Sequence, residues 1–117
     1  MQPFTEQAEV AATQVRAALQ RIVSSAEFSR SPQLQRLLTF VVNETLAGRS
    51  DRLKEYTIGV EVFARPASYD PRLDSLVRVE AKRLRDLLGH HYQNNGKSDR
   101  VRIELPRGSY VPLFRSQ

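Results

Sequence analysis

The sequence predicts a mainly α-helical fold that ends in a small C-terminal β-hairpin, and three observations carry that prediction. Four segments before residue 93 repeat apolar residues at helical spacing. Val101, Ile103 and Leu105 then alternate as in a half-buried strand, and Pro106-Arg107-Gly108-Ser109 turns into a return strand from Tyr110 to Phe114. With 117 residues, 40% hydrophobic and 26% charged, the chain suits one domain of ordinary size with a single core.

The first helix is expected from Glu6 to Glu27. Val15, Leu19, Ile22, Val23 and Ala26 recur on one side, and Ala11, Ala12, Ala17 and Ala18 raise helix propensity. Ser29-Arg30-Ser31-Pro32 ends it and starts the next, with Ser31 as N-cap and Pro32 at the first helical position. The second helix runs to about Ala47 and stops at Gly48. Its apolar set (Leu34, Leu37, Leu38, Phe40, Val41, Val42, Leu46) is too rich for an exposed helix and puts it at the centre of the core. A short third helix lies within Leu53 to Phe63, with Tyr56, Val60 and Phe63 on one face and Gly59 at a close packing contact. Ala64 to Leu73 contains two prolines and reads as an ordered loop. Asp70-Pro71 and Asp74-Ser75 are helix-start signals, and the long fourth helix runs from about Ser75 to Tyr92. Asn94-Asn95-Gly96-Lys97 is a turn, and Pro112 makes the return strand an edge.

The chain has no cysteine, so disulfides, thiolate catalysis and cysteine zinc sites are excluded. No apolar run approaches the ~18 residues that span a bilayer, and the N-terminus has no basic-then-apolar signal pattern. A cytoplasmic location without a membrane partner is expected. His90 and His91 are adjacent on a helix and point in different directions, so they cannot share a metal. The glycines are too scattered for a phosphate-binding loop, and nothing groups a nucleophile with a base and an orienter. No enzyme, metal or cofactor is expected.

The charge is informative. Residues 1–71 carry eight Lys/Arg and eight Asp/Glu; residues 72–117 carry ten and five, which is the whole net excess of +5. Within the fourth helix Val77, Ala81, Leu84 and Leu88 form an apolar stripe, and Arg78, Lys82 and Arg85 form a basic one about 90° away. Taken alone, such a row is what a solvated helix face carries. Beside an arginine-tipped hairpin it reads as a recognition helix plus wing, with DNA as the polyanion. Arg78, Lys82 and Arg85 are the primary candidates for base and phosphate contact, with Ser75 at the start of the same helix. Arg107 at the hairpin tip is a candidate minor-groove contact. Arg100 and Arg102 alternate outward from the strand toward phosphates, and Lys54, before the third helix, is a backbone candidate. Arg83 lies near Glu80 at i−3, where an intramolecular pair competes with a phosphate contact. Tyr110 is expected beneath the wing rather than stacked on a base.

The run Ala81-Lys82-Arg83-Leu84-Arg85, then Val101-Arg102-Ile103-Glu104-Leu105, then Arg107-Gly108-Ser109-Tyr110 resembles the winged helix-turn-helix of OmpR/PhoB-type bacterial response regulators. The match covers Gln33 to Phe114. A still closer resemblance is to a winged-helix segment at the N-terminus of uncharacterised bacterial proteins. It rests on Leu53-Lys54-Glu55-Tyr56, Tyr69-Asp70-Pro71-Arg72, Val77-Arg78-Val79-Glu80-Ala81 and Tyr110-Val111-Pro112. Two features depart from the response-regulator type: a helix stands where that type has an N-terminal sheet, and Ser109 replaces a glycine of the wing.

The resemblance implies a three-helix core plus wing over residues 31–117, with an extra helix over residues 1–30. It implies sequence-specific binding of double-stranded DNA by a bacterial or mobile-element transcriptional regulator. It also makes RNA polymerase a partner for the Ala64–Leu73 loop. A single winged helix reads few base pairs, so a homodimer or tandem binding on repeated half-sites is expected, with Val15, Leu19, Ile22 and Val23 as either a dimer face or a cap on the core. The alternative is a protein-interaction module whose basic face binds an acidic partner. RNA is a weaker partner, because no aromatic platform accompanies the basic row.

Overall fold

The helical spacings close around one apolar core in a computed structural model, which describes residues 10–117. The elements are α1 (Ala12–Val23), α2 (Ala26–Ser29), α3 (Pro32–Leu46), a 3-10 turn (Ser50–Arg52), α4 (Glu55–Glu61), α5 (Leu76–Gln93) and an antiparallel pair, β1 (Val101–Glu104) and β2 (Leu113–Ser116). The molecule is mainly helical with a small two-stranded C-terminal hairpin. Among the described residues no helix is long and apolar enough to cross a membrane.

Pro32 opens α3 and Gly48, at φ +79°, follows its end, as proline and glycine do at the two ends of a helix. Leu34, Leu37, Leu38, Val41 and Val42 are all buried, so α3 is the central helix, packed against α1, α2 and α5. Its Glu44 is buried and held by Arg49 (2.7 Å) and Arg52 (2.7 Å), and Arg52 also pairs with Glu61. This cluster fixes the 3-10 turn between α3 and α4.

The single helix expected from Glu6 to Glu27 is instead two, and Glu6–Glu9 lie outside the described residues. The break falls at Ser24-Ser25. Both hydroxyls donate backward, Ser24 to the Gln20 carbonyl and Ser25 to the Ile22 carbonyl (2.6 Å), and so compete with helix propagation. The turn lets Phe28 on α2 become fully buried. On α1, Val15, Leu19 and Ile22 are buried against α3 and β1, and Arg21 grips Asp99 through two 2.9 Å bonds. The apolar side of α1 is therefore spent on this chain's own core.

The face of α4 also differs from expectation. Ile58 and Gly59 are buried with Val62 packed beside them, while Tyr56 is 43% exposed. The cause is a loop residue. Tyr69 folds under Gly59, where a Cβ would lie 2.3 Å from its ring, and it stacks against Tyr56 at 6.2 Å. Phe63 is half-buried at the edge of the core.

The return strand starts later than predicted, at Leu113. Pro112, which has no N–H to give a ladder, precedes the strand with its ring fully buried, and the register pairs Ile103 with Phe114. Residues 105–112 thus form a longer hairpin loop. Gly108, at φ +75°, supplies the left-handed conformation its tight turn needs.

Candidate nucleic-acid interface

Helix α5 positions most of the candidate residues. Asp74 starts it by accepting the Leu76 N–H (3.0 Å); Ser75 occupies the cap position without a capping bond. Val77, Ala81, Leu84 and Leu88 are buried as their spacing requires. The far end is fixed by Tyr92, whose hydroxyl oxygen accepts the buried Ile103 N–H at 2.7 Å, and by Asn95 and His91, which contact Glu27 at 3.0 and 3.4 Å. Desolvation pushes the Tyr92 hydroxyl up to about 12. Desolvation also opposes ionisation of Glu27, but the bonds from Asn95 and His91 outweigh it and hold that carboxyl at about 2. His90 is exposed while His91 is buried, so the two do point apart.

The predicted basic row does not present itself as a unit. Arg78 is exposed and reaches sideways, donating to Glu55 (2.5 Å) and to the Pro71 carbonyl (3.0 Å). Lys82 stands in solvent with Asp86 at 3.0 Å, the two side chains 76% and 68% exposed. Arg85 turns the other way. Half-buried, it donates from Nε to the carbonyls of Leu105 (3.1 Å) and Pro106 (3.3 Å) and from Nη2 to that of Ser109 (2.9 Å). It clamps the wing loop to α5. With three carbonyls as acceptors, Arg85 is committed to the hairpin.

Other cations divide in the same way. Arg83 pairs with the buried Glu80 at 3.2 Å, as its i−3 spacing allows. Arg102 lies over the Tyr92 ring, 4.6 Å from its centroid, with Nε 2.8 Å from Glu104 but outside hydrogen-bonding geometry. Arg107, Arg100 and Lys54 are exposed and have no side-chain partner among the described residues. Tyr110 is half-buried under the wing, packed against the core, and desolvation raises its hydroxyl above the ordinary range.

The outward face of α5 is therefore centred not on Arg78, Lys82 and Arg85 but on Ser75, Val79, Lys82 and Asp86, with Arg83 beside them. Val79 and Asp86 are not among the contacts expected from the sequence. A helical wheel offers the signal: at 100° per residue both sit roughly opposite Val77. Four cations hold carboxylates, and of these pairs Lys82–Asp86 is exposed on both sides, a kind worth about 0–1 kcal/mol. A phosphate can take Lys82 at little cost.

Compared with known proteins, the chain matches no family model, no curated protein and no solved structure.

Proposed function

We propose that the chain is a winged helix-turn-helix module that binds double-stranded DNA in a sequence-specific way, α5 entering the major groove and the 105–112 loop touching the backbone or minor groove beside it. The observation that carries this reading is the Arg85 clamp, which fixes an arginine-tipped hairpin rigidly beside an exposed, cation-bearing helix. Rigid spacing between two basic elements suits a polyanion of regular pitch better than a flexible acidic peptide. The concentration of the net positive charge in residues 72–117 supports the same reading.

In this reading Lys82, Arg83 and Arg78 supply base and phosphate contacts from the helix, Arg107 and Arg100 contact phosphates from the hairpin, and Lys54 adds one from α4. Arg85 and Arg102 position the wing. One such helix reads few base pairs, so binding uses two copies on repeated half-sites, as expected of a regulator of transcription.

Selection of bound fragments from a random duplex pool, followed by titration of the selected site between 50 and 200 mM salt, tests the proposal. An enriched motif is expected, with affinity falling steeply with salt. Arg107→Ala should lower the salt slope by about one, the signature of one lost phosphate contact. Failure to retain any duplex at low salt, with helical content intact, would falsify the reading.

One observation favours the second reading, a protein-interaction module. Leu73, on the loop before α5, is 87% exposed. An apolar side chain so displayed beside a basic surface suits a protein contact, and Leu73→Asp leaving duplex affinity intact while abolishing a partner's binding would separate the two roles.

A further inference from the structure

The outward face of α5 holds one apolar side chain that the fold does not use. Val79 is 45% exposed and is not among the residues packed on the core, unlike Leu87 and Val111 nearby. Of the other two exposed large apolar residues, Leu73 lies on the loop before α5, and Tyr56 has a partner in Tyr69 and donates its hydroxyl to the Ala67 carbonyl. Valine is also a poorer helix former than alanine, lysine or glutamate, so helicity does not explain it. Its isopropyl group is nearly fixed in one rotamer on a helix, which makes it a stiff contact with little freedom to lose.

Its neighbours decide what it meets. Ser75 stands one turn before it, Lys82 and Arg83 one turn after, and Arg78 to one side. If phosphates are drawn to those cations, the centre of the face lies against base edges. In the major groove the one apolar feature a base pair displays is the methyl group on C5 of a pyrimidine.

We propose that Val79 is a specificity-determining residue that reads a pyrimidine C5-methyl in duplex DNA, that of thymine or 5-methylcytosine. The proposal rests on the DNA-binding reading above and adds one discriminating contact to it. Closing one methyl against the valine is worth about fourfold in affinity.

The experiment uses the 117-residue chain and the duplex selected above. Each thymine is replaced in turn by deoxyuridine, which removes only the methyl. In a parallel set each cytosine is replaced by 5-methyldeoxycytidine, which adds it. The wild type is expected to lose about fourfold at one thymine per half-site, or to gain about fourfold at one methylated cytosine; which arm responds identifies the source. Val79→Ala, which keeps helix propensity and touches no core contact, should flatten that response. Arg107→Ala should weaken thymine and uracil duplexes equally. A wild type that binds a selected duplex but ignores every methyl overturns this inference alone, as does an undiminished methyl response in Val79→Ala. A wild type that retains no duplex overturns both this and the reading on which it rests.

Discussion

The cations that face the hairpin and those on the outward side of α5 do opposite things. On the hairpin side, Arg85 and, from β1, Arg102 lie over the wing carbonyls and the Tyr92 ring. On the outward side, Lys82 and Arg83 stand in water with only a carboxylate each. The difference lies in the acceptor. Three backbone carbonyls around the hairpin turn hold the Arg85 guanidinium firmly, whereas the exposed Asp86 carboxylate holds Lys82 weakly and can be exchanged for another anion. Charge on a helix thus divides into a part that builds and a part that is offered.

The sharpest way to break this comparison is Arg85→Ala. It removes three bonds from a charged donor to carbonyls and should cost about 2–3 kcal/mol in chemical denaturation, with faster amide exchange confined first to residues 105–112. A cost below half a unit would mean that the hairpin holds itself.

Tyr92→Phe should cost about 1–2 kcal/mol, because the buried Ile103 N–H is left without an acceptor. It also has a pH signature. The folded hydroxyl titrates at about 12, above its ordinary 10, so the protonated form contributes stability below pH 10 that is lost as pH rises toward 12. The phenylalanine variant should lack that alkaline loss.

A comparable change is expected in acid. Glu27 titrates at about 2 in the folded chain against 4.5 ordinarily, so its contribution is complete above pH 4.5 and fades as pH falls toward 2. Urea midpoints at pH 7 and pH 3 should converge in Glu27→Gln relative to the wild type.

The least effect on stability belongs to the outward side. Lys82→Ala and Asp86→Asn should each stay within about 0.5 kcal/mol of the wild type. Their duplex affinities should move in opposite directions, down for lysine and up for aspartate, since Asp86 sets a negative charge on the face proposed to meet phosphates. Parallel shifts would erase the distinction between the two sides.

What was legible in the sequence follows from what is local. The Val77, Ala81, Leu84, Leu88 stripe and the Pro32 and Gly48 boundaries depend on neighbours within one or two turns, and the structure has them where expected. The face of α4 was not legible, because a helix of two turns carries too few apolar positions to define a side and because Tyr69 arrives from a loop to fill the space at Gly59. Nor was the role of Arg85, whose acceptors lie at Leu105, Pro106 and Ser109, some twenty residues away. At Ser24-Ser25 two ordinary hydroxyls outweighed the helix-favouring Ala11, Ala12, Ala17 and Ala18, since each can satisfy a carbonyl that the next helical turn would have used.

The clasp between Arg21 and Asp99 has a consequence for biosynthesis. Its halves are separated by 78 positions, and the strand that covers the same helix follows Asp99 directly. At roughly 5–20 residues added per second, the oily flank of the first helix waits about 4–16 s on the ribosome for its lid.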